Sequence, residues 1–120
     1  MHCSLPDWAK YVTAHLVGET EADDGTKHFL PGASFVKLHK PLFDDGSKYA
    51  MGWIASGKSG DRRLWHNGSN TMWYAESTLA LDGGWAVLVG VNQGGDPGQK
   101  AATKATAALI AEIAAKPATK

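Results

Sequence analysis

The segment Trp65-His66-Asn67-Gly68-Ser69-Asn70-Thr71-Met72-Trp73-Tyr74 concentrates more chemistry than any other stretch of this chain. Imidazole can move a proton near neutral pH. Amides and hydroxyls can hold a carbonyl or carboxylate oxygen, and Gly68 leaves room for a ligand against the backbone. Read from the residues alone, two accounts stand. The segment is a ligand-facing strip whose contact residues are His66, Asn67, Ser69, Asn70 and Trp73, or it is a glycine-containing bulge with aromatic neighbours.

Other candidates are fewer. Ser34-Phe35-Val36-Lys37 is a literal Ser-x-x-Lys, the pattern in which a lysine activates a serine nucleophile. His15 lies on the apolar face of a helical pattern and reads as a hydrogen-bonded core or boundary histidine. His2, His28 and His39 have no metal-ligand spacing to one another or to Cys3, so no metal and no cofactor is expected. Asp23-Asp24-Gly25 and Asp44-Asp45-Gly46 lack the twelve-residue calcium loop and read as turns. Of the five tryptophans, Trp53, Trp65, Trp73 and Trp85 fall on strand patterns, so some belong to the core.

The elements that must position these groups follow from patterning. Ser4 and Asp7 form a capping signal before Trp8, Tyr11, Val12, His15 and Leu16, which predicts a helix over 5–17 ended by Gly18. Pro31, Phe35, Leu38 and Pro41 predict a short second helix. Tyr49 to Ala55 predicts one strand with a close neighbour at Gly52, and Gly57 to Asp61 a turn. Thr71 to Leu81 alternates, Asp82-Gly83-Gly84 signals a hairpin, and Trp85 to Asn92 returns without charge on either face. That last strand is therefore expected to be central and covered on both sides. A final helix opens at Asp96, with Asp96 as cap, and presents the stripe Ala102, Ala105, Leu109, Ile113. The expected class is α+β: a three- to four-stranded antiparallel sheet, two N-terminal helices, and a C-terminal helix packed across the strands.

Composition bounds the function. The 120 residues suit one domain, with 43% hydrophobic and 20% charged residues typical of a globular chain. Twelve basic and twelve acidic residues cancel, which leaves no footprint for nucleic acid or an acidic membrane. No membrane-length apolar run or signal peptide is visible, so a cytoplasmic location is expected as the chain stands. The single cysteine excludes an internal disulfide framework.

In the order of its motifs the chain resembles the C-terminal part of the β-lactamase-related serine hydrolases, the class C β-lactamase and penicillin-binding-protein-like esterase family. His66-Asn67-Gly68-Ser69 is similar to the family's third motif, Lys-Thr-Gly or His-x-Gly. Phe35-Val36-Lys37-Leu38-His39-Lys40-Pro41 resembles its lead-in helix, and Tyr49-Ala50-Met51-Gly52-Trp53 its Tyr-x-x-Gly-Trp strand. The strand pair Ala75–Leu81 and Ala86–Asn92, then a terminal helix, continues the likeness over almost all 120 residues. The resemblance implies a partial β-lactamase/transpeptidase-like fold. It implies that His66 stands near the substrate carboxylate or carbonyl, that Asn67 points into the site, that Gly68 leaves space for the acyl group, and that the Ser69 N–H serves the oxyanion hole.

The departures matter as much. No Tyr-x-Asn or Ser-x-Asn occurs in these residues, and Ser34 falls in the lead-in segment, not where the family keeps its nucleophile. The expectation is a segment that does not catalyse alone, from a family that hydrolyses amides or esters through an acyl-serine. The alternative is a non-catalytic module that binds a small carboxylate or carbonyl ligand or self-associates. Either way the expected partners are a second copy or a missing N-terminal half, because a partial fold leaves apolar surface uncovered.

Overall fold

The computed structural model describes residues 3–20, 29–43 and 46–116; the expected turns at Asp23-Asp24-Gly25 and Asp44-Asp45-Gly46, and His2 and His28, lie wholly or partly outside them. The fold is α+β, in the order α1 (Leu5–Val17), α2 (Gly32–His39), β1 (Tyr49–Ala50), β2 (Trp53–Lys58), β3 (Asp61–Ser69), β4 (Tyr74–Ala80), β5 (Trp85–Val91) and α3 (Gly95–Ala115). The five strands form one antiparallel sheet in the order β1-β2-β3-β4-β5. No described helix is long and apolar enough to cross a membrane.

The sheet has more strands than expected for a local reason. The stretch Tyr49–Ala55 is a hairpin and not one strand. Ala50 pairs with Trp53, and Gly52 turns the chain between them at φ 90°, a conformation that favours glycine. A Cβ on Gly52 would meet nothing within 4 Å, so conformation and not a close neighbour explains this glycine. The paired register then runs from Ile54↔Trp65 to Lys58↔Asp61, so the expected turn at 57–61 tightens to two residues between β2 and β3. The chemistry-bearing segment is thus the end of β3 and the turn into β4.

The backbone divides into two compact units, residues 1–66 with 79–86, and residues 67–78 with 87–120. In the first, the Ser4 hydroxyl accepts the Asp7 N–H at 3.3 Å and donates to the Asp7 carboxylate at 2.7 Å, which fixes the start of α1. Val12, Phe35, Trp53 and Leu64 are buried and form its apolar core. Gly18 ends α1 in ordinary right-handed geometry, at φ −65°. Its role is close approach: a Cβ there would stand 2.5 Å from the Phe35 ring and from the Ala14 carbonyl oxygen.

In the second unit, Gly98, Ala102 and Thr106 are the buried residues of α3, one turn apart. A Cβ on Gly98 would come within 3.1 Å of Tyr74 Cβ, and the Thr106 hydroxyl donates to the Glu76 carboxylate. The buried stripe therefore lies to one side of the expected one; Leu109 is 45% exposed. The cap also differs. Gly94 is the N-cap without a side-chain bond, and Asp96 sits in the first turn, where its charge favours the helix dipole.

The last strand corrects another expectation. β5 ends the strand order instead of lying centrally. Val87 and Val89 are buried, whereas Ala86 and Leu88 are half-buried and Gly90 exposed. Small apolar residues leave a face uncharged without placing it under a second layer.

The Gly18–Phe35 approach yields a direct test. Gly18→Ala adds only a methyl group, at a φ that alanine accepts, so helix propensity alone would favour it. The clash with Phe35 should outweigh this and lower the unfolding free energy by about 1–3 kcal/mol in urea titration.

Candidate functional site

The structure distributes the chemistry-bearing residues among three settings. His66, half-buried on β3, faces Tyr49: the phenol oxygen and Nε2 lie 3.3 Å apart, a hydrogen bond whose donor depends on the imidazole tautomer. The two rings meet edge to face at 5.9 Å. Asn67 approaches the buried Tyr74 hydroxyl, which has no partner at hydrogen-bond geometry.

Gly68, Ser69, Asn70 and Trp73, with Ala75, line a shallow hollow of about 310 Å³. Here the polar side chains largely serve their own turn. The Ser69 hydroxyl donates to the Trp73 carbonyl at 2.9 Å and accepts the Gly95 N–H at 3.4 Å. Asn70 Oδ1 accepts the Trp73 N–H at 3.0 Å, and the Asn70 N–H donates to the Trp73 carbonyl at 3.2 Å. These bonds hold Thr71 at φ 74°, an uncommon conformation for a β-branched residue. Gly68 remains open, with nothing within 4 Å of where a Cβ would stand. The tryptophans divide: Trp53 is buried, Trp85 half-buried, and Trp65 and Trp73 are exposed. Ser34 lies inside α2 and is half-buried, while Lys37 one turn on is exposed.

A second constellation was not singled out as a site from the sequence. His15 Nδ1 lies 2.9 Å from His39 Nε2, and His39 Nδ1 lies 2.6 Å from Glu19 Oε1. Arg62 Nη1 donates to the other Glu19 oxygen at 2.6 Å, and Arg62 also donates through Nε and Nη2 to Asp82 Oδ1, at 2.9 and 2.8 Å. With His39 neutral, one tautomer set satisfies every link. His39 Nδ1–H donates to Glu19, leaving Nε2 to accept from His15 Nδ1–H. His15 is buried and hydrogen-bonded, the core histidine that the apolar face of α1 predicts. Its spacing to Glu19, one turn on, was the available signal for the rest.

Electrostatics follows burial and pairing. Burial pushes the Glu19 carboxyl up, but hydrogen bonds from Arg62 and His39 outweigh it and hold the group below its usual range. The Asp82 and Glu19 carboxylates raise the Arg62 guanidinium further above its already high value. Burial, reinforced by the charge that His39 can carry, lowers His15 from 6.5 to about 4. Glu19, His39 and Arg62 form part of the wall of a pocket of about 470 Å³ within the first unit. Among the described residues no group of three or more His, Cys, Asp or Glu side chains is placed to hold a metal ion.

No protein-family model, curated protein or solved structure matches this chain.

The buried histidine gives the fold a defined acid response. An unfolded His15 takes up a proton near pH 6.5, whereas the folded one resists until about pH 4. Its folded pKa is depressed, so its contribution is complete above pH 6.5 and is lost as the pH falls towards 4, by up to about 3 kcal/mol. Glu19 adds loss below its ordinary 4.5, because its folded value is also lowered. Urea unfolding at pH 7 and pH 5 should show the decline, and His15→Gln should flatten it between those two values.

Proposed function

We propose that the chain is the C-terminal portion of a β-lactamase-related serine hydrolase fold, which supplies one wall of an acyl-transfer site and does not hydrolyse alone. The observation that supports this most is the open end of β3. His66-Asn67-Gly68-Ser69 lies on a strand, Gly68 has clear space beside it, and Ser69 and Trp73 line a hollow. Helix, helix, Tyr-x-x-Gly-Trp hairpin, motif strand, strand pair and helix also follow in the order the resemblance implies. On this reading the Ser69 N–H addresses a carbonyl or carboxylate oxygen of the substrate. Ser34, which lies within α2, is on this reading not the nucleophile.

The test is covalent labelling. Incubation with a fluorophosphonate or a penicillin, followed by mass spectrometry, should leave the chain mass unchanged. A stoichiometric adduct on Ser34 or Ser69 would show an activated serine and overturn the non-catalytic reading.

A second reading, self-association, is favoured by β5. The strand Trp85-Ala86-Val87-Leu88-Val89-Gly90-Val91 carries no charge and no proline, and it ends the sheet order. A long apolar edge without such protection offers its unpaired N–H and C=O groups to another strand. Met72 and Trp73 add exposed apolar surface, at 70% and 58%. Sedimentation velocity should show a dimer or larger species forming across the micromolar range, and a Gly90→Lys variant, which places the charge at an exposed position of β5, should shift it to monomer. A monomer mass independent of concentration up to the millimolar range would end this reading.

A further inference from the structure

We propose that the pocket bordered by α2, Lys48 and the β2–β3 hairpin binds a small organic oxyanion: a carboxylate or phosphate monoester with a compact apolar body. Its volume, about 470 Å³, is that of a site for a small organic molecule. Its charge is distinctive. The chain as a whole is neutral, yet Lys40, Lys48, Lys58, Arg62 and Arg63 line this pocket and, among the described residues, Glu19 is its single lining carboxylate.

The pairing of these charges decides which are available. Glu19 is engaged by His39 and Arg62, Arg62 also by Asp82, and Arg63 by Asp61 at 3.0 Å. Lys40, Lys48 and Lys58 form no ion pair with any described carboxylate. Three lysines thus line one cavity without an ion pair to any described carboxylate, together with Ser56 and Ser59. An incoming oxyanion supplies what they lack.

Two further observations bear on the site. Lys48 is held in the left-handed region, at φ 55°, where a side chain is rarely found, and its carbonyl accepts the Ala55 N–H at 2.9 Å. Such a conformation persists where the surroundings impose it, and here it sets the backbone of Lys48 at the pocket wall. Part of the lining is apolar: Val36, Pro41, Leu64 and Leu81. Val36 is 49% exposed although it is a helical valine beside a cavity. A bare inorganic anion would leave that surface wet, whereas an anion with a small apolar body covers it. Both ring nitrogens of His39 are engaged, so the wall offers binding and no free imidazole base.

NMR titration of the full chain separates the possibilities, with phenyl phosphate, benzoate, inorganic phosphate and benzyl alcohol as separate arms. Phenyl phosphate or benzoate should give saturable shifts at the Ser56, Gly57, Ser59 and Arg62 amides, with a Kd below about 10 mM. The tighter of the two identifies the headgroup. Inorganic phosphate and benzyl alcohol should each bind about tenfold more weakly or not at all. The triple variant K40Q/K48Q/K58Q should weaken binding about tenfold or more, as should raised salt. Lys58→Gln alone, on the exposed hairpin, should weaken it severalfold without touching the Lys48 turn. Failure of both aromatic anions to saturate, or undiminished binding by the lysine variants, overturns the proposal. Equally tight binding of benzyl alcohol or of inorganic phosphate overturns it too, by removing the need for charge or for the apolar body.

Discussion

A carboxylate withdrawn from water has to recover in hydrogen bonds and positive charge what its hydration supplied, and Glu19, with its side chain 13% exposed, meets that demand just past α1. Its two oxygens draw in His39 from the end of α2 and Arg62 from β3. Arg62 in turn grips Asp82 in the β4–β5 turn through both its backbone N–H and its guanidinium. Four segments far apart in sequence therefore share one network. The arrangement also bears on its neighbour, because His15, buried against His39, disfavours the charged imidazolium. Truncating any one member would leave a partly buried charge or donor without its partner, which costs more than the bond itself contributes.

Features set by a few adjacent residues were legible in the sequence. The Ser4–Asp7 cap, the span of α1, the short α2 behind Pro31 and the Asp82-Gly83-Gly84 connection all rest on local chemistry and occur as expected. Features set by tertiary contact were not. In the alanine-rich α3, several faces are similarly small and apolar, so the pattern cannot choose among them. The approach of Gly98 to Tyr74 does. Likewise, an uncharged strand such as β5 reads as central, while its place in the sheet depends on what pairs with its far edge. His15 and His39 stand 24 residues apart, and no spacing rule joins them.

The segment 65–74 combines a hydrogen-bonded turn with an open surface. As a turn, it is secured by the mutual bonds of Asn70 and Trp73 and by the Ser69 hydroxyl. As a surface, it leaves Gly68 open and gathers Gly68, Ser69, Asn70 and Trp73 around one hollow. His66 belongs to a different pairing, with Tyr49, and that contact links the Tyr-x-x-Gly-Trp stretch to the motif strand in a way that neither segment reveals alone.

Which groups the turn leaves unengaged constrains what it could recognise. Ser69 uses its hydroxyl as both donor and acceptor within the fold, so it offers a ligand little through that atom. Asn70 uses its side-chain oxygen on the Trp73 N–H, while its amide N–H groups meet no described acceptor. The Trp73 indole, on a residue 58% exposed, adds one more N–H, and an indole can donate but not accept. The polar capacity left around the hollow is therefore donor capacity, beside an aromatic face and an open glycine. A guest that satisfies it must bring acceptor oxygens.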